Sequence, residues 1–208
     1  MTNYKPLNYA ERGGDRLIVG GQIDREGVPE LALTVLKAML VQHYHIAPAA
    51  NSATAVHAAV TLADGAPTTV TTAITNPDVP RTVTVKGNAA GIAGDVVITG
   101  TNIAGEVITD TIALNAATEV EGVKAFKTVT SILLPARTTA GDTVSIGIAK
   151  KFGVPHCVAF AGMVLVKLFN GSADTGTLAV DDDEVEKNLF ALNGTPDGTK
   201  ALDLYYLV

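Results

Sequence analysis

Apolar and polar positions alternate through the stretch "VVITGTNIAGEVITDTIAL", from Val96 to Leu114. Val96, Ile98 and Gly100 share one parity, and Val97, Thr99 and Thr101 the other. After "NIAG" the alternation resumes, with Ile108, Ile112 and Leu114 opposed to Val107, Thr109 and Thr111. Side chains alternate across a strand, so the pattern predicts two antiparallel strands joined at Asn102 to Gly105. Asp110 interrupts the apolar parity of the second strand and blurs its register. The same period of two marks Val56 to Leu62, Val70 to Ile74, Val83 to Val85, Phe126 to Ser131 and Val144 to Ile148. "ADGAP" and "TNPDVPR" separate such runs as turns. Short strands at regular spacing, rich in Thr, predict a mainly β fold. The expected architecture is an antiparallel β-sandwich or jelly-roll-like domain over residues 56–208, with an N-terminal arm and one helix. The closing run "KALDLYYLV" alternates cleanly and is expected to be fixed in a sheet.

Three segments depart from this pattern. Residues 1–27 hold the pairs Gly13-Gly14 and Gly20-Gly21 around a short strand candidate, "DRLIV". A piece this small cannot bury a core of its own and needs another surface, which makes it an arm. "PELALTVLKAMLVQHY" then begins with Pro29 and Glu30, both suited to a first helical turn. Leu33, Leu36 and Leu40, with Leu31, Val35 and Met39 beside them, predict an apolar helix over 29–42. "IAPAANSATA" (46–55) follows as a linker, so residues 28–55 divide into helix and linker. The third departure is "HCVAFAGMVLVKLF", apolar on both parities. Such a strand is either central to the core or covered by another subunit. Val158, Phe160, Met163 and Leu165 are accordingly the candidate oligomer interface.

Charged residues make up only 17% of the chain, so its surface is either polar and neutral or covered by partners. A net charge of -6 argues against nucleic acid as the partner. The longest apolar stretch, "CVAFAGMVLV", is too short to span a bilayer, and no membrane is expected. "MTNYKPLNYAERGG" has no apolar run of the signal-peptide kind, so synthesis and folding are expected in a cytoplasm. Cys157 is the lone cysteine, which rules out an intrachain disulfide.

Candidate chemistry is sparse. His43 and His45, two apart, could ligate a metal if that piece were extended, but the helix reading makes them polar contacts of its terminus. No metal site and no cofactor are therefore expected. "DDDEVE" lacks the spaced oxygens of a calcium loop and reads as a solvated acidic turn. His156 and Cys157 are neighbours in a predicted strand and would point to opposite faces, so they make no nucleophile–base pair. The pattern implies a structural or assembly protein rather than an enzyme.

"GGDRLIVGGQIDREG" (13–27), "TNPDVPRTVTV" (75–85), "VVITGTNIAGEVITDTIAL", "GVKAFKTVTSILLP" (122–135) and "LDLYYLV" (202–208) occur in that order. In this order the chain resembles virion structural proteins of tailed bacteriophages of Gram-positive hosts, of the capsid decoration and head-fibre type. The resemblance implies a non-enzymatic decoration (cement) protein on the outer capsid surface, made in the host bacterial cytoplasm. Its partner would be the major capsid protein, and its state a homotrimer. Lacking collagen-like or coiled-coil repeats, the chain departs from long fibres, which favours a compact decoration protein. The alternative is a head-fibre, tail or host-surface/glycan-binding virion protein. "ERGGDRLIVGG" is the candidate attachment element: Arg12 and Arg16 would pair with acidic groups of the shell, and Leu17, Ile18 and Val19 would add to a sheet edge.

Overall fold

The computed structural model describes residues 40–208, and of the preceding segment the backbone of residues 8–10 and 17–19. The chain divides into two compact units, Met1–Met39 and Leu40–Val208. In the first, strand β1 (Asn8–Ala10) pairs antiparallel with β2 (Leu17–Val19), Tyr9 opposite Ile18. The strand expected in "DRLIV" is thus formed, with a partner inside the chain. The helix expected over 29–42 lies, as far as residue 39, outside the described residues.

The second unit is built of antiparallel strands: β3 (Val41–Ile46), β4 (Ser52–Thr61), β5 (Thr68–Val70), β6 (Arg81–Gly87), β7 (Asp95–Thr101) and β8 (Val107–Ala113). They continue with β9 (Val120–Phe126), β10 (Thr128–Leu134), β11 (Thr143–Gly153), β12 (Val164–Phe169), β13 (Ser172–Ala173), β14 (Thr177–Ala179), β15 (Leu189–Ala191) and β16 (Leu202–Leu207). Two single 3-10 turns, Ala161–Met163 and Val185–Lys187, are the helical pieces among the described residues. The unit is a mainly β, antiparallel domain with a curled, half-barrel-like sheet.

The alternation at Val96–Leu114 forms the expected hairpin, β7 against β8, from Asp95↔Ala113 to Thr101↔Val107. Its turn closes on Asn102, whose carbonyl accepts from the Gly105 N–H and whose Oδ1 accepts from the Glu106 N–H. Gly105 takes a φ of 87°, a conformation natural to glycine. The hairpin belongs to the sheet β5-β10-β7-β8. A second sheet, β14-β15-β11-β6-β9, is organised by β11. One edge of β11 pairs with β6, while the other pairs first with β4 (Thr143↔Thr61 to Ile148↔Ser52) and then with β15 (Lys151↔Ala191 to Gly153↔Leu189). Ile98, Ile112 and Ile132 of the first sheet share one hydrophobic core with Val83, Val85, Phe126, Val144 and Ile146 of the second. The third sheet, β13-β12-β16-β3, brings the closing strand β16 between β12 and β3.

Arg81 sits where β11 changes partner. The Ala149 carbonyl falls between the last pairing with β4 and the first with β15, and Arg81 Nε donates to it at 2.6 Å. Nη1 donates to the Ala49 carbonyl and to Asp78 Oδ1, Nη2 donates to Asn51 Oδ1, and the guanidinium lies over the Phe152 ring. A fully buried arginine is stable here because every face of it is occupied.

Two stretches differ from the periodicity. Val41 to Tyr44, expected to end the helix, are strand β3, and β4 starts at Ser52 inside the expected linker. In β3 the outward positions carry Val41, His43 and His45, so apolar and polar residues fall on both faces and the period of two is hidden. The partner that makes this piece a strand is β16, at the far end of the chain. Residues 158–169 are likewise not one strand: β12 begins only at Val164, after the turn Ala161–Met163.

Candidate functional site

The outer face of the sheet β13-β12-β16-β3 carries a histidine–carboxylate cluster and exposed apolar side chains. Along β16, Leu202, Leu204 and Tyr206 are buried, so Asp203, Tyr205 and Leu207 point outward. On β3 the outward residues are Val41, His43 and His45. Cross-strand rows run His45–Asp203–Leu168 and His43–Tyr205–Val166. Both histidines reach the same carboxylate oxygen: His43 Nε2 and His45 Nδ1 each lie 2.7 Å from Asp203 Oδ1. The His45 hydrogen bond lowers the Asp203 carboxyl below its ordinary value, against partial burial, and His43 adds to the effect. The His43 ring stacks parallel on Tyr205, centroids 4.3 Å apart. On the inner face, burial pushes the Tyr206 phenol up to about 12, and His156 Nδ1 lies 2.8 Å from its hydroxyl.

Beside this polar cluster the face is apolar. β12 advances two residues, Val164 to Val166, while β16 advances one, Tyr206 to Tyr205, so Leu165 is the extra residue of a β-bulge. The bulge leaves both neighbours in solvent, Leu165 52% and Val166 41% exposed. Phe160, before the 3-10 turn, is 55% exposed, and Leu40 and Val41 at the start of β3 are exposed as well. Of the interface residues expected from sequence, Phe160 and Leu165 thus face solvent, whereas Val158 and Met163 are buried in the chain's own interior. Arg12 and Arg16 lie outside the described residues. Leu17, Ile18 and Val19 form β2, and their side chains lie outside the described residues too.

The acidic run differs from a freely solvated turn. Glu186 is buried and its Oε2 accepts from Asn102 Nδ2, while Lys124 Nζ donates to both Glu184 and Glu186. Asp181 Oδ1 accepts from the Asp183 and Glu184 N–H groups. These carboxylates tie the Val185–Lys187 turn to the β7–β8 turn and to β9. Cys157 has its thiol pushed up, by burial first and then by the carboxylates of Asp181, Asp183, Glu186 and Asp182, and this suppresses the nucleophilic thiolate. A shallow cleft of about 290 Å³ is lined by Asn51, Ser52, Thr84, Glu119 and Glu121.

No family model, no curated protein and no solved structure matches the chain. Function is therefore argued from its own residues. Sequence reasoning weighed the His43/His45 pair but placed it at a helix end, and it did not single out Asp203. The spacing H-x-H in "VQHYHI" and an aspartate at an outward position of "LDLYYLV" were the available signals.

Proposed function

We propose that this protein is a non-enzymatic capsid decoration protein of a tailed bacteriophage, which binds the outer surface of the head shell and stabilises it. Its partners are the major capsid protein and two further copies of itself. The observation that supports this most is the pair of apolar side chains that the β12 bulge turns into solvent, Leu165 and Val166, with Phe160 and Val41 exposed as well, on a chain with few charges. Isolated apolar residues on a surface are ordinary, but a bulge that turns two adjacent ones outward in a sheet suits a protein that works in an array. We read the sheets carrying β7–β8 and β6–β11 as the two layers of a sandwich. The separate N-terminal unit is the attachment element in this reading. Repetition over an icosahedral shell, or three arms per trimer, makes a small contact sufficient through avidity.

Pelleting purified protein with undecorated, expanded heads tests the reading. The intact chain should sediment with the heads, and a variant lacking residues 1–24 should stay folded and remain in the supernatant. Full occupancy by the truncated variant would remove the arm as the anchor. Binding to tails instead of heads would move the protein elsewhere in the virion. No binding to either would overturn the assignment.

A further inference from the structure

The polar half of the outer face carries chemistry that capsid binding does not use. His43 and His45 occupy alternate positions of β3, so both rings leave the same face of the sheet. Asp203 stands directly opposite His45 in the ladder, two positions from Tyr205, the residue opposite His43, and so on the same face. One donor atom from each of the three falls within 4.8 Å of the others. We infer that His43, His45 and Asp203 form a binding site for a divalent transition-metal ion of the zinc class, with its remaining coordination open to water.

The donor set chooses the ion. Two imidazoles and one carboxylate suit zinc, cobalt, nickel or copper, whereas calcium and magnesium prefer a shell of oxygens. Geometry agrees with it. Both nitrogens now sit 2.7 Å from Asp203 Oδ1. Donors at about 2.0 Å from a tetrahedral ion are separated by roughly 3.3 Å, so an ion asks each nitrogen–oxygen pair to open by roughly 0.6 Å and the two nitrogens, within 4.8 Å of each other, to take that same spacing by side-chain rotation. The scaffold is held in advance, because β3 and β16 are hydrogen-bonded along their length and Tyr205 stacks on the His43 ring. His43 and His45 are exposed, so an ion reaches the site without opening the fold. The chain's net charge of -6 favours a cation.

This inference does not depend on the capsid reading, and its test uses no heads. Untagged full-length protein is titrated calorimetrically with zinc chloride and, separately, with magnesium chloride. The expected result is one zinc bound per chain at micromolar affinity or tighter, with magnesium not bound. His45→Ala and Asp203→Asn should each weaken zinc binding by at least about tenfold, and His57→Ala should leave it unchanged. Circular dichroism checks that each variant is folded; both histidines are exposed, so His45→Ala remains decisive if Asp203→Asn unfolds. Cobalt in place of zinc should give the visible absorption of a four-coordinate site in the native chain and lose it in His45→Ala. Zinc binding unaffected by His45→Ala, absence of zinc binding by the native chain, or equal affinity for magnesium would each overturn the assignment.

Discussion

Arg81 and the buried tyrosines show how single side chains hold this fold. Arg81 satisfies carbonyls of Ala149 and Ala49 that the strand ladders leave without partners, and pairs with Asp78. Arg81→Met should cost about 3–5 kcal/mol, because buried acceptors and a carboxylate lose their donor together. Urea unfolding measures this, and Arg81→Lys should recover only part, since a point charge cannot reach along the fork. Tyrosine ionisation offers a second measurement. Burial raises Tyr206 from 10.0 to about 12, and burial, followed by the charges of Tyr206 and Asp78, raises Tyr44. A raised pKa means that the unfolded chain loses its protons first. The stabilisation is thus complete below pH 10.0 and is lost as pH climbs towards about 12. Denaturation series across this range should show stability falling with pH. The Tyr44 hydroxyl has no partner among the described residues. Tyr44→Phe should therefore make the fall shallower and leave stability at neutral pH unchanged or slightly higher.

Among the elements, β9 explains Asp110, the charged residue on the apolar parity of the β7–β8 hairpin. Against β6, the pairing of β9 steps from Ala125 to Glu121 while β6 steps only from Thr82 to Thr84. β9 therefore bulges at Gly122–Lys124, and two of its N–H groups leave the ladder. Asp110, on the buried parity of β8, accepts both through Oδ2, from Val123 at 2.8 Å and from Lys124 at 3.2 Å. Gly122 belongs to the same device, since a Cβ there would collide with Asp110 Oδ2. Asp110→Ala should destabilise by about 1–3 kcal/mol for each donor left buried. Gly122→Ala should also destabilise. The combined variant should lose less than the sum of the two, because the closest clash goes with the carboxylate and only the flexible end of Ile112 is left in the way. Equilibrium unfolding of the three variants reads this cycle. The bulge in β12 works in the opposite sense and turns Leu165 and Val166 out to solvent.

At the scale of the whole molecule, the same bulge makes assembly testable apart from folding. Val158 and Met163 are buried within the chain, so substitutions there would damage the core. Leu165 is about half exposed and offers a cleaner probe. Sedimentation equilibrium should find the native chain as a trimer, and Leu165→Asp should shift it to monomer with an unchanged strand spectrum. A concentration-independent monomer in the native chain would remove the interface. Lys124 and Lys187 offset part of the acidic run, the densest block of like charge, through Glu184 and Glu186.

Wherever one face of a strand is buried and the other wet, the period of two was readable along the chain itself. The β7–β8 hairpin, its Asn102–Gly105 turn and the fixed closing strand follow from side-chain alternation and turn chemistry, which are local. The candidate site was not local. "VQHYHI" continues an apolar stretch with residues that suit a helix end, and only pairing with β16 makes it a strand. That pairing sets His43 and His45 on one face and brings in Asp203, some 160 positions away. Asp110, which read as a flaw in the pattern, is likewise buried for the sake of a bulge in another strand. Periodicity reports which residues leave water, because burial acts on each side chain separately. Which polar groups meet is decided by backbone hydrogen bonds between distant strands, and these exist only once the sheet has formed.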